Sequence, residues 1–205
     1  MARPSEVRVL GHRLRTEPGV FHPLYFSSSR ILAQHVVERA PRGLRVLDMG
    51  TGSGAVAIAA AGVGASVTAC DINPSAVALA RTNAALNGLT IDVVESDLFT
   101  ALPSRVFDLI VFNIPFYPTV PSSHFEAAFR AGPTLETVRR FADGSREHLA
   151  QGGRVVIIFS EDCDRGAIDC AFEDAGLSFE EQRVTRRMFE LFVVASFRLK
   201  EASSS

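Results

Sequence analysis

The sequence predicts an α/β domain: a mostly parallel sheet with helices on both faces and an antiparallel hairpin at its C-terminal end. Three observations support this. Short apolar runs at 45–49, 66–70, 91–95, 106–112 and 154–159 alternate with helical stretches, the pattern of parallel strands joined by helical crossovers. Polar residues able to bind a ligand (Asp48, Asp71, Asp97 and Asn113) stand at or just beyond the ends of the first four runs, where such sheets hold their ligands. After Gly176, stretches 177–185 and 190–200, with Arg186–Phe189 between them, read as a terminal hairpin, which brings the strands to seven. The 205 residues and 47% hydrophobic content suit one domain with a short extension and a full core.

The elements follow in order. The first 15 residues are locally basic (Arg3, Arg8, His12, Arg13, Arg15, with only Glu6 opposing) and read as a solvated amphipathic start rather than a polyanion-binding arm. Run 45–49 leads into Asp48-Met49-Gly50-Thr51-Gly52-Ser53-Gly54 and then an Ala-rich helix. Glycines at a strand-to-helix junction let main-chain N–H groups approach a ligand that a Cβ would push away. Their spacing is G-x-G-x-G, not the G-x-G-x-x-G of dinucleotide folds. Asp71 ends the next run, 23 positions after Asp48, where an acid can accept from ribose hydroxyls. Asn73 then suits a helix N-cap, Pro74 its first turn, and Asn87-Gly88 its stop.

Ser96-Asp97-Leu98-Phe99 follows run 91–95, and Asn113-Ile114-Pro115-Phe116 follows 106–112, with Pro115 holding Ile114 extended. The loop from Pro115 to Pro133 is long, as lids and substrate determinants are. Its His124 and Glu126 read as solvated loop residues rather than general bases, and Phe125 and Phe129, one helical turn apart, as core. Tyr25 and Tyr117, the only tyrosines, lie in segments expected to meet at the site.

Asp48–Gly54, with Asp71 and Asp97 in register behind it, resembles motif I of the class I S-adenosylmethionine (SAM) dependent methyltransferases. Asn113-Ile114-Pro115-Phe116 resembles the N-P-P-Y/F motif of members acting on planar or amide nitrogen. These include the HemK/PrmC release-factor glutamine methyltransferases and the adenine N6-methyltransferases. The resemblance covers roughly residues 20–200 and implies the seven-stranded Rossmann-like methyltransferase sheet. It implies a SAM pocket shaped by Asp48, Gly50, Thr51, Gly52 and Gly54. Asp71, Ile72 and Asn73 would meet the ribose side, and Ser96, Asp97 and Leu98 the adenine. Asn113 would orient the acceptor NH₂, Pro115 fix the loop and Phe116 stack on the acceptor.

The lead-in Val20-Phe21-His22-Pro23 matches the family's Val-aromatic-x-Pro and would fold over the methionine end of SAM. Tyr25 would line the acceptor pocket, and one of Ser27, Ser28 and Ser29 would match the family Thr. The chain departs from the family at Ile114, which replaces a proline, at Phe116, which has no hydroxyl, and at Tyr25 and Phe26, which replace acids. These changes imply a drier pocket and leave room for a different acceptor. The resemblance divides the chain into a lead-in and lid (1–40), a SAM-binding catalytic domain (41–200) and a disordered tail (201–205). Too little chain precedes the first strand for the helical domain of the release-factor enzymes, so the likeness is to the short single-domain members.

The expected activity is methyl transfer from SAM to a nitrogen of a small molecule or protein side chain, with catalysis mainly by positioning. A second reading makes SAM itself the substrate of an intramolecular cyclisation to azetidine-2-carboxylate, releasing methylthioadenosine. A third is a non-catalytic SAM-binding module. Nucleic-acid adenine methylation ranks below these, because a net charge of −2 gives no broad basic field and no target-recognition domain is evident. No metal is expected: Cys70, Cys163 and Cys170 lack paired zinc spacing, and their odd number argues against a disulfide framework. No leader and no apolar run long enough to cross a bilayer is evident, which fits a reduced cytoplasm.

Overall fold

The computed structural model describes residues 5–20, 27–40, 42–115, 119–128, 130–187 and 190–200, without the side chains of Phe125 and Ala127. The chain opens on a hairpin, β1 (Ser5–Val9) and β2 (His12–Thr16), turned at Leu10-Gly11, both left-handed. The start is amphipathic with Arg8, Arg13 and Arg15 exposed, as expected, but it is a strand pair packed on the domain, which the sequence does not show. The apolar positions Val9 and Leu14 alternate onto one face and pack against Ala55 and Ile58, while Arg8, Arg13 and Arg15 share the other face.

A seven-stranded sheet follows. Its strands are β3 (Arg45–Met49), β4 (Ser66–Asp71), β5 (Asp92–Glu95), β6 (Phe107–Asn113), β7 (Leu149–Ser160), β8 (Leu177–Arg187) and β9 (Glu190–Leu199), in the order β5-β4-β3-β6-β7-β9-β8. The pairs β4–β5, β3–β4, β3–β6 and β6–β7 are parallel, and β9 runs against both β7 and β8. This is the seven-stranded sheet with a C-terminal hairpin that the sequence predicts.

Two boundaries differ. β7 begins at Leu149 rather than 154, because Leu149 pairs with Phe107 across a register shift and carries the strand through Gly152-Gly153. β8 continues to Arg187, which pairs with Glu190, so Arg186 and Arg187 are ladder residues rather than turn.

Helices cover both faces. On one side lie α1 (Ser27–Arg39), α2 (Ala55–Gly62) and α3 (Pro74–Leu86), whose Val36, Ala57 and Val77 pack with Val46, Val111 and Val156. On the other lie α5 (Glu136–His148) and α6 (Arg165–Asp174), whose Phe141 and Phe172 pack with Leu47, Ile110 and Ile157. Alternate residues of β6 and β7 thus feed opposite cores, which is why these strands read as unbroken apolar runs. Each fully buried aromatic of this kind contributes about 2–3 kcal/mol. A short helix, α4 (His124–Ala127), lies in the long loop after β6. Among the described residues no helix is long and apolar enough to cross a membrane.

Asn73 caps α3 as expected: its side chain accepts from Ser75 N at 3.0 Å, Pro74 follows in the first turn, and Asn87 closes the helix. One face of α3 also carries a device the sequence did not reveal. Asn83 accepts from Arg15 N and donates to Arg15 O, and Asn87 does the same with Arg13. Two side-chain amides one helical turn apart thus satisfy the free edge of β2, as another strand would.

Candidate active site

The strand order reverses between β3 and β6, and a cavity of about 260 Å³ opens there at the carboxyl ends of the strands. The glycine turn forms its floor. Gly50 has φ +62°, and a Cβ there would lie 2.7 Å from Cε2 of Phe112 on β6, so only glycine lets the two turns sit side by side. Thr51 N donates to Cys70 O at 2.9 Å and ties the turn to β4.

Asp48 is buried beneath this turn. Its Oδ2 accepts from Thr51 Oγ1 at 2.6 Å and from Ala57 N at 3.0 Å. Gly54, the N-cap of α2, has no side chain to cap with, so Asp48 supplies the acceptor from outside the helix. Burial pushes the Asp48 carboxyl up to about 7, against the pull of those two hydrogen bonds.

Asp71 stands on the wall. One oxygen accepts from Gly52 N at 2.8 Å and the other from Asn73 N at 2.9 Å. Each keeps a lone pair for a further donor. Burial raises its pKa, opposed first by the Asn73 and Gly52 amides. Beside it Ile72 lines the cavity with 40% of its surface exposed.

Ser96, Asp97 and Leu98 line the next stretch. Ser96 Oγ donates to Leu98 O at 2.7 Å and accepts from Ala101 N at 3.0 Å, holding Leu98 at φ +50°. This left-handed, non-glycine conformation is strain kept at a site wall by its surroundings. Asp97 pairs with Arg140 of α5, 43 positions along the chain, at 2.8 Å.

The remaining wall is built from β6 and α1. Asn113 lines the cavity, and its Nδ2 donates to Ser28 Oγ at 3.1 Å. Ile114, which replaces the family's proline, is buried, and its N–H donates to Ile158 O at 3.3 Å. The departure thus extends the β6–β7 ladder by one bond that proline cannot make.

The cavity gathers most of the candidate residues: Asp48, Gly50, Thr51, Gly52, Asp71, Ile72, Asn73, Ser96, Asp97, Leu98, Asn113, Pro115 and Ser29. Two are set back from it. Gly54 lies behind the turn, where a Cβ would meet Ile58 Cδ1 at 3.3 Å and Ala80 Cα at 3.4 Å, so it serves the close packing of α2 on α3. Ser28 sits behind Asn113. Tyr25 and Phe116 lie outside the described residues, as do Phe21, Phe26, Tyr117, Phe129, the side chain of Phe125 and the tail 201–205.

Val20 of the lead-in lines the cavity, as do Gly19, His124 and Arg140, which the sequence does not mark as cofactor contacts. Gly19 O accepts from Asn73 Nδ2 at 3.2 Å, which fastens the N-terminal segment to the turn after β4.

These features fit SAM. The cavity offers a half-buried carboxylate for hydroxyl donors, a partly bare apolar side chain at Ile72 for a ring face, and a buried acid whose charge a nearby cation stabilises.

The family model for the methyltransferase small domain matches residues 11–182. A protein named as an N5-glutamine methyltransferase of Methanocaldococcus jannaschii is 33% identical over 160 residues, covering 75% of this chain and 79% of that protein. The release factor glutamine methyltransferase of Deinococcus radiodurans is 47% identical over 93 residues, 44% of this chain and 33% of its own length. Ribosomal RNA small subunit methyltransferase C of Chromohalobacter salexigens is 34% identical over 152 residues, 72% of this chain and 42% of its own length. The chain thus spans a third to two fifths of these two longer relatives. Among solved structures, ribosomal protein L11 methylase of Lactobacillus delbrueckii subsp. bulgaricus superposes with a TM-score of 0.68 at 28% identity, over 90% of this chain and 84% of that one. The chain belongs to the methyltransferase small domain family, whose co-substrate is SAM.

Proposed function

We propose that this methyltransferase transfers the methyl group of SAM to the side-chain amide nitrogen of a glutamine in a protein. The observation that carries this reading is the Asn113 amide. With one N–H of Nδ2 given to Ser28, the carbonyl oxygen on the other side of the amide can accept from a group in the cavity that Asn113 lines. A carbonyl oxygen accepts and never donates, so it favours a methyl acceptor that carries a hydrogen-bond donor such as N–H. The similarity to a protein named as an N5-glutamine methyltransferase supports an amide NH₂ in that role.

SAM supplies an electrophilic methyl carbon on a positively charged sulfur. The chain's own residues bind and orient. Asp71 takes the ribose hydroxyls. Ile72 and Leu98 would flank the adenine, and Asp97, paired with Arg140, would accept from its exocyclic amine. Asn113 draws one N–H of the acceptor and turns its nitrogen toward the methyl carbon. Pro115 holds the turn beyond it. As the nitrogen–methyl bond forms the sulfur–methyl bond breaks, S-adenosylhomocysteine leaves, and the acceptor nitrogen gives its proton to water, so no side-chain base is required. The rate advantage is that of holding two reactants in line.

The test is incubation of the purified protein with methyl-labelled SAM and a purified bacterial release factor, followed by peptide mass spectrometry. A one-methyl increase on a glutamine is expected. Label transferred to small-subunit ribosomal RNA, with none on the release factor, overturns the glutamine reading.

A further inference from the structure

We infer that Ser28 is a positioning residue for the acceptor, acting through Asn113, and not a contact of SAM. The inference rests on the acceptor role proposed for Asn113 and adds the group that sets its amide. Three adjacent serines open α1, and the structure gives two of them different places. Ser29 lines the cavity. Ser28 is only 5% exposed, is set back from the cavity wall, and has its Oγ 3.1 Å from Asn113 Nδ2.

Asn113 is a two-faced group. Its oxygen accepts and its nitrogen donates, and the side chain rotates readily about its last torsion. An acceptor NH₂ is recognised only when the oxygen faces it; the opposite rotamer sets donor against donor. Ser28 gives the nitrogen a buried partner in the productive rotamer. Removing the hydroxyl leaves Nδ2 without that partner in a half-buried position, and the amide is no longer held. The two residues are 85 positions apart, so α1 and the turn after β6 are joined at the reacting centre by this bond.

The experiment measures kcat, acceptor KM and SAM Kd for Ser28→Ala, Ser28→Cys, Ser28→Thr, Asn113→Ala and the double variant Ser28→Ala/Asn113→Ala, with release factor and methyl-labelled SAM. Ser28→Ala is expected to lower kcat roughly tenfold or more, the range for one lost hydrogen bond to a buried partner. SAM Kd should stay within about twofold. Ser28→Thr should recover most of the rate. Ser28→Cys, nearly the same size but a weak hydrogen-bonding group, should fold normally and behave like Ser28→Ala. The double variant should be no slower than Asn113→Ala, because residues acting as one unit are not additive.

A Ser28→Ala or Ser28→Cys protein with wild-type kcat, beside an inactive Asn113→Ala, overturns the inference and leaves the acceptor reading standing. A loss of SAM affinity at unchanged kcat also overturns it and makes Ser28 a SAM contact. Wild-type turnover by Asn113→Ala removes both the acceptor reading and this inference.

Discussion

The turns after β3 and after β6 lie side by side, with Met49 paired to Phe112, yet they are held in different ways. The β3 turn is fixed by its sequence neighbourhood: Thr51, Ala57 and Asp71 contact Asp48 or the glycine backbone from within about 25 residues. The β6 turn depends on distant chain. Ser28 holds Asn113 from 85 positions away, and Ile158 takes up the Ile114 N–H. Substitutions in the first turn should therefore act mainly on SAM binding, and substitutions in the second mainly on turnover.

The sharpest way to break this contrast is Asn113→Ala. Turnover should fall about 100-fold or more, as when one oriented polar group is lost from an active site, while SAM Kd by calorimetry stays within about twofold. Gly50→Ala tests the opposite half. The added Cβ would meet the Phe112 ring at 2.7 Å from a left-handed φ, and that ring packs on Phe141 with centroids 4.8 Å apart. SAM binding should weaken by about 100-fold, the effect of roughly 2–3 kcal/mol of strain.

Asp71→Asn comes next. The new amide nitrogen must face either the Gly52 or the Asn73 N–H, donor against donor, so SAM Kd should rise about tenfold. Acceptor KM, measured at saturating SAM, should not move.

The pH dependence of SAM affinity should report Asp48. Its folded pKa, about 7, lies above the ordinary 3.8. In the absence of ligand it therefore favours the folded state most at acid pH, and that contribution is lost as pH rises through 7. A bound cation favours the anion, so SAM binding should release a proton and tighten several-fold between about pH 6 and 7.5. Asp48→Asn should flatten that slope in a calorimetric pH series.

The smallest effect is Ile114→Pro. Restoring the family's proline removes one ladder bond to Ile158 and should cost about 1 kcal/mol in a denaturant midpoint, with SAM affinity unchanged.

The legibility of the sequence followed the same division. The five parallel strands, the terminal hairpin and the caps of α3 were readable because apolar runs, Asn73-Pro74 and Asn87-Gly88 are local signals. The glycine turn and Asp71 were readable through spacing alone. The β1–β2 hairpin was not, because its five-residue strands are rich in arginine. Its burial depends on Ile58 and on the Asn83 and Asn87 amides about 70 positions away. Asp97–Arg140 and Ser28–Asn113 were hidden for the same reason: each joins residues separated by 43 positions or more. Asp48 illustrates a subtler limit. Its place beside the glycines was clear, but its work as an outside cap for α2 shows only once Ala57 N is seen 3.0 Å away.

The most direct test of the account is mass spectrometry of the products formed from SAM, with the purified protein alone and with release factor added. Intact SAM is expected in the first reaction, and S-adenosylhomocysteine with a methylated glutamine in the second. Methylthioadenosine formed from SAM alone, above its non-enzymatic background, would mean that SAM is cleaved at its aminobutyryl chain, and would contradict a site built around Asn113 to receive an acceptor.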